Sequence, residues 1–569
     1  MNTNMNLYMP EIFWHDRKGL LSIDIQQRRS DEKSTGLLER KFGSYKIATA
    51  SVQKEIRIWE FHFDRQRDDN QGNEIYRLSV NFIANLEGHE STTNVVRFSP
   101  NSKLLASGDV QGALIIWKIS AKVEDSSTSV EKEKSSDDFP PNRENWTRAF
   151  RVPIRHYGDV TCICWSPDST SIASVATDDT VSLHKTDTGK LVWTVRGFRH
   201  YPNGIAWDPR GKYIITLSTD RRLDILEAAR GTRLRVCHRV ELPAFVVGAG
   251  NKVVQESYKI FHDDQLISFT RGVEFSPCGS VVFAPAGHLE VQDRNIYGSF
   301  VFKRADFDKC RPFAMIPSAK PTFMIKCSPI LYELRDDVKE NYLGLPYRLI
   351  YAVLCKESVL IYDSQFSKFF AYADNFQYDQ LTNLAWTPDG KVLVISSLEG
   401  YNSFFTFADD TLGVACAEQD AAKLLMQRQQ QATSASDAAA ISVDEKPSVE
   451  NQPPLECPDS PRLIQPKKAH KKKEPGPAGD STTGVEPTAA VAPDPAGAPG
   501  FTLIKRKQPA AGDSAATSPL RAVKRKKEAD GTSSNAPSTN GASAAPADDN
   551  KNNENALKSI VQKKIDEMW

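Results

Sequence analysis

The sequence predicts an all-β fold: a seven-bladed WD-repeat β-propeller followed by a long disordered C-terminal tail. Three observations predict it. A short phrase recurs, an alternating apolar segment ending in an aromatic residue, then a Pro turn: VVRFSPNSK at 95–103, CICWSPDST at 162–170, GIAWDPRGK at 204–212, GVEFSPCGS at 272–280 and LAWTPDGK at 384–391. Each of four turns leads into a second apolar segment ending in small residues (LLASGD, SIASVATD, YIITLSTD, VLVISSLEG) and then a third (ALIIWKI, TVSLHKT, RLDILEA, NSFFTF). Finally, the Val-, Ile-, Phe- and Tyr-rich composition ends near Phe407 and gives way to Ala, Pro, Ser, Thr and Lys.

Pro followed by Asp, Gly or Asn makes a tight turn, because Pro presets its own φ and the others tolerate the turn geometry. Alternation, turn, strand, turn, strand is the pattern of antiparallel sheet. From Trp165 to Trp207 the phrase returns after about 42 residues, the length of one four-stranded blade. Seven units follow: 12–61, 86–119, 150–187, 195–228, 261–303, 313–363 and 371–407. The propeller is expected to span 1–408, and the segment near Ile12 to complete the last blade. A charged Ser-rich loop is expected at 121–145, a shorter charged loop at 62–77, and a less polar insertion at 229–260. The last is either packed or a contact surface. A radial array of small sheets leaves only short protected edges.

Of 569 residues, the formal net charge is zero, so no global field recruits nucleic acid. Nine cysteines are scattered and odd in number, with only Cys162 and Cys164 close together. No Cys-x-x-Cys occurs, so metal sites are not expected, and a reducing compartment is. The opening MNTNMNLYMPEIFW lacks the charged and apolar regions of a secretory signal. No run reaches the ~20 apolar residues of a membrane helix. Phosphate loops, HExxH and GxSxG are absent. No catalytic residue, metal or cofactor is expected.

The polar residues inside the repeats read as structural. His89, after Gly88 at a blade start, is expected to bond through Ser107 toward Trp117, with Gln111 at the usual Asp position. Asp178 and Asp220 occupy that position in the third and fourth units, and His156 and His200 precede repeat strands. Trp165, Trp207 and Trp386 stand at equivalent places before the Pro turn and are expected to be buried between blades. His262-Asp263-Asp264 resembles an acid–base cluster on paper but reads as a solvated loop.

The region 409–569 is too poor in apolar residues to offset the entropy of ordering. Its basic clusters read as nuclear import signals, above all Lys471-Lys472-Lys473 and Lys524-Arg525-Lys526-Lys527; plain solvating charge is the alternative. Leu557, Ile560, Val561, Ile565 and Met568 lie at helical spacing, so a short helix at 556–569 either frays or folds on a partner.

Several stretches lie outside the repeat consensus: Asn142-Arg143-Glu144-Asn145-Trp146-Thr147, the eight residues from Ser257 to Asp264, LPYRLIYAV at 345–353, and Asp389-Gly390 through Ser396-Ser397-x-x-Gly400-Tyr401. In these the chain resembles the family of the middle-sized WD-repeat subunit of chromatin assembly factor 1. The resemblance implies a non-catalytic nuclear protein that helps deposit histones H3 and H4 on DNA during replication and repair. It implies as partners the large subunit, the small WD-repeat histone-binding subunit, an anti-silencing histone chaperone and, indirectly, the histones. It implies neither membrane association nor sequence-specific DNA binding. The third unit departs from the family, ending Leu183-His184-Lys185 where Trp is usual.

The family's chaperone contact is an extended Arg-then-aliphatic peptide, suited to adding a strand to a sheet edge. Arg462-Leu463-Ile464 keeps that order best; 501–506 and 520–524 are alternatives, as is plain linker. Two rival readings remain: a histone-regulator subunit, which shares the propeller, and a substrate receptor of a cullin-RING ubiquitin ligase. The second is disfavoured because Trp59 and Trp117 are followed by Glu60 and Lys118 rather than Asp.

Overall fold

The computed structural model describes residues 5–27, 43–67, 74–120, 140–152, 156–246, 252–266, 268–291, 294–336, 338–408 and 411–417. They form seven four-stranded antiparallel sheets and one separate two-stranded hairpin. Numbered from the N-terminus, blade 1 has strands Leu20–Ile25, Tyr45–Ser51, Ile56–Arg67 and Glu74–Leu86. The inner strands of blades 2 to 7 are Thr93–Phe98, Val160–Trp165, Pro202–Trp207, Glu274–Phe275, Thr322–Tyr332 and Leu381–Trp386.

The ring closes by sharing blade 7 between the two ends of the array. Met5–Tyr8 is its outermost strand, paired antiparallel with Asn402–Phe407 (Met5 opposite Phe407, Tyr8 opposite Phe404). The closing strand thus lies upstream of Ile12, which belongs to the loop after it. Three other expectations are corrected. The segment 62–77 is mostly strand, because the outer hairpin of blade 1 continues as far as Arg67 and restarts at Glu74. The insertion 229–260 is no loop: it holds the outer strand of blade 4, Arg233–Cys237, and the hairpin Arg239–Val246 with Lys252–Lys259. Described structure also passes the expected limit at 408. A strap returns to blade 6, where Ala415 bridges Tyr332 and the Cys416 N–H donates to the Leu331 carbonyl at 2.9 Å. Residues 121–139 and the tail from 418 onward, with its expected helix, lie outside the described residues.

In six blades the register between first and second strand slips by one residue near the start of the inner strand, as at Thr93/Val95, Val160/Cys162 and Pro202/Gly204. A β-bulge re-aims the side chain of its extra residue. Here that residue reaches the neighbouring blade: Asn94 Nδ2 donates to the Val160 carbonyl at 3.2 Å, and Thr161 Oγ1 to the Pro202 carbonyl at 3.0 Å. At the other end of the inner strand the aromatic reaches the preceding blade. The Trp165 indole N–H donates to the Arg97 carbonyl at 3.0 Å, and that of Trp386 to the Lys326 carbonyl at 3.1 Å.

The core is a set of apolar seams between blades. Trp14, Ile23, Phe61, Val394 and Phe404 fill the one where blade 7 meets blade 1. Blades 4 and 5 approach tightly at Gly204, where a β-carbon would fall 1.8 Å from the Arg271 carbonyl oxygen, so no larger residue fits. Trp165 and Trp386 are buried, but Trp207 is only half-buried, contrary to expectation. All three indoles line the same open cavity, but the Trp207 ring keeps more of its surface exposed. Trp386→Ala is therefore expected to destabilise by about 3–5 kcal/mol, the range for a large core aromatic, and Trp207→Ala by clearly less. Urea melts of the two variants check this; equal losses would contradict the burial difference.

Candidate functional site

The polar groups of the repeats form hydrogen-bonded chains inside the blades. In blade 2, His89 Nε2 meets Ser107 Oγ at 2.6 Å, and the Trp117 indole N–H donates to the same oxygen at 2.8 Å. His89 Nδ1 lies 2.8 Å from a carboxylate oxygen of Asp109. The sequence register pointed to Gln111; the acid comes two residues earlier, where Asp109 also accepts the Gln111 and Ala113 N–H groups. Burial opposes its ionisation, but these donors win and hold its pKa below the usual carboxylate range.

Blade 3 repeats the arrangement with Asp178 at the expected position. His156 Nε2 contacts Ser174 Oγ at 2.8 Å, and its Nδ1 faces Asp178 and Thr180. Burial works against the Asp178 anion, yet the His156 and Thr180 hydrogen bonds bring its pKa down to about 2. His184 fills the place of the missing Trp and is itself buried. Blade 4 solves the problem differently. Asp220 accepts from Ser218 Oγ and the Arg199 backbone N–H and pairs with Arg222 at 3.4 Å, while His200 points to solvent.

Blade 1 holds a member that sequence reasoning missed. His15 Nε2 lies 2.9 Å from Thr49 Oγ1, which also receives the Trp59 indole N–H at 3.3 Å. The signal was available, since Thr49 precedes Trp59 by the same interval as Ser107 precedes Trp117. It was hidden because His15 sits far upstream, across residues 28–42.

His262 is not in a solvated loop either. Its ring stacks on His288, with centroids 4.7 Å apart, and His288 stacks on Tyr297 at 5.1 Å. Desolvation first, and then His288, lower the His262 pKa. Its neighbour Asp264 is exposed. Among the described residues, no group of three His, Cys, Asp or Glu side chains is placed to hold a metal ion.

The stretches outside the repeat consensus fasten one element to another. Arg143 N–H donates to the Ile83 carbonyl at 2.7 Å, Asn142 bonds both backbone groups of Asn85, and Glu144 pairs with Lys46. Residues 142–146 thus clasp blade 2 onto the outer edge of blade 1. Arg348, almost fully buried, pairs with Asp363 and donates to the carbonyls of Glu333 and Leu412, which pins the strap to blade 6. The Phe261 bridge to Gly287 ties the 239–259 hairpin to blade 5.

A cavity of about 480 Å³ opens at the end of the central channel marked by Pro100, Pro209, Pro277 and Pro329. Lys326 pairs there with Glu274 at 2.7 Å. Asp24, beneath Arg97, accepts the Phe98 N–H at 2.7 Å, and burial raises its pKa. The candidate chaperone contact Arg462, Leu463 and Ile464, and the basic residues 471–473 and 524–527, lie outside the described residues.

These features define a closed propeller in which histidine, hydroxyl and acid side chains are hydrogen-bonded inside the blades. The chain belongs to the CAF1B/HIR1 β-propeller family, whose domain it matches over residues 5–412. It is 32% identical to the B subunit of chromatin assembly factor 1 of Mus musculus over 425 residues, 73% of this chain and 69% of the relative. It is 30% identical to the protein of the same name in Saccharomyces cerevisiae over 430 residues, 70% of this chain and 86% of the relative. Protein HIR1 of Kluyveromyces lactis is 23% identical over 408 residues, 70% of this chain and 44% of that protein.

The geometry sets a pH dependence. Burial foremost, and then the Arg57 charge, lower the His15 pKa from 6.5 to about 3, so the folded ring stays neutral. Between those values the unfolded chain binds a proton that the folded chain refuses. The stability this supplies is complete above about pH 6.5 and is lost as pH falls toward 3. Urea midpoints measured from pH 7.5 to 4.5 should decline, and His15→Gln should flatten the decline. An unchanged slope in that variant would show that His15 is not the group involved.

Proposed function

We propose that the chain is the non-catalytic WD-repeat component of a nuclear chromatin-assembly complex that deposits histones H3 and H4 on DNA. The carrying observation is the match of the whole propeller to B subunits of chromatin assembly factor 1, at 32% and 30% identity. The arrangement of the blades supports this reading. Their buried histidines and acids are engaged in hydrogen-bonded chains, and the family stretches serve as clasps that stiffen a surface for partners. The propeller docks the large subunit, and the small WD-repeat histone-binding subunit joins the same complex. The tail receives the anti-silencing chaperone through Arg462, Leu463 and Ile464, and its basic clusters direct import. The histone-regulator reading shares the propeller but has the lower identity, 23% to 26%.

Affinity purification of the tagged chain from nuclear extract should recover a large chromatin-assembly subunit, with or without residues 418–569. Recovery of a ubiquitin-ligase adaptor in its place would overturn the proposal. A 458–470 peptide titrated against the purified chaperone should bind, and should lose binding after Arg462→Ala with Ile464→Ala. Binding that survives both changes would move the contact elsewhere.

A further inference from the structure

Cys237 ends the outer strand of blade 4, at the root of the 239–259 hairpin. Cys310 follows the 3₁₀ turn Arg304–Lys309 of blade 5 and closes it in the left-handed region, at φ 50°. Two contacts fasten turn to strand. Arg235 Nε donates to the Asp308 carbonyl at 3.3 Å, and its guanidinium lies 3.5 Å from the Asp308 carboxylate. Both cysteines pack in the same apolar cluster between the blades, Cys237 fully buried and Cys310 half-buried. Their thiols share a hydrogen bond, and Cys310 also receives the Val236 N–H.

We propose that Cys310 and Cys237 are an oxidation site, at which peroxide closes a disulfide that staples blade 4 to blade 5 beneath the hairpin. The placement divides the labour. Cys310 has access to solvent where Cys237 has none, and the hydrogen bond from Cys237, with the nearby Arg235 charge, lowers its pKa against the opposing effect of burial. A lowered pKa favours the thiolate, and the thiolate is the nucleophile. It attacks one oxygen of hydrogen peroxide: an S–O bond forms, the O–O bond breaks, and the departing hydroxide takes a proton to become water. The product is the Cys310 sulfenic acid. The buried Cys237 sulfur then attacks the Cys310 sulfur. The S–S bond forms, the S–O bond breaks, and hydroxide leaves with the Cys237 proton as a second water. Two thiols are oxidised and one peroxide is reduced to two waters.

The test uses the full chain, reduced, treated with hydrogen peroxide and digested without reductant. A cross-linked peptide pair joining Cys237 and Cys310 is expected, cleaved by dithiothreitol and absent in Cys310→Ser. In Cys237→Ser the sulfenic acid has no resolving partner, so dimedone should label Cys310. Thermal melts of both variants establish that they fold. Two results would overturn the proposal: both cysteines still fully alkylated after peroxide, or Cys310 paired with any other cysteine, Cys457 of the tail included.

Discussion

The closure of the ring is the constraint on which everything else depends. A single blade has two apolar faces and cannot bury either alone, so each must be covered by a neighbour. Seven such seams exist only if the last blade meets the first. The chain secures this by hydrogen-bonding Met5–Tyr8, from the opposite end of the sequence, onto blade 7 as its outer strand. The seam so closed is heavily aromatic: Phe61 and Phe404 meet at 5.0 Å and Trp14 and Trp59 at 5.1 Å. Opening the ring would expose these rings together with the edge of Asn402–Phe407.

Around the channel the blades are joined by two belts of hydrogen bonds pointing in opposite senses. Bulge residues such as Asn94 and Thr161 reach forward, and the Trp165 and Trp386 indoles reach back. A buried backbone carbonyl needs a donor, and in a ring of separate sheets the innermost carbonyls can be met only from the next sheet. The His–Ser–Trp chains do the same work within a blade. Their members change from blade to blade: Asp109 arrives two residues early, Arg222 replaces a histidine beside Asp220, and His184 stands where a Trp would. What persists in these blades is that the buried acid finds a donor, rather than the identity of the residue that supplies it.

The clasps explain why some stretches depart from the repeat. The Asn142–Trp146 segment, the 239–259 hairpin and the strap held by Arg348 each join elements that the repeat alone leaves separate. They stiffen the outer surface.

Much of the architecture was legible in the sequence. Period-2 alternation and Pro turns are local, and local patterns survive without knowledge of contacts, so the seven units and the place where the core composition ends could be read directly. The ten-residue spacing of Ser107 and Trp117 is local in the same way, whereas the acid that meets His89 was not legible: it is Asp109, two residues before the position the repeat suggests. What could not be read depends on residues distant in the chain. Only the folded ring decided that Met5–Tyr8, rather than the segment near Ile12, completes blade 7. It likewise decided that His15 joins Thr49 and Trp59 across residues 28–42, that 229–260 folds as strand and hairpin, and that Trp207 is less buried than Trp165 and Trp386. Cys237 and Cys310 share one seam because blades 4 and 5 pack there. Alternation states which side chains leave the solvent; which neighbours they meet is set by ring closure, a property of all seven blades at once.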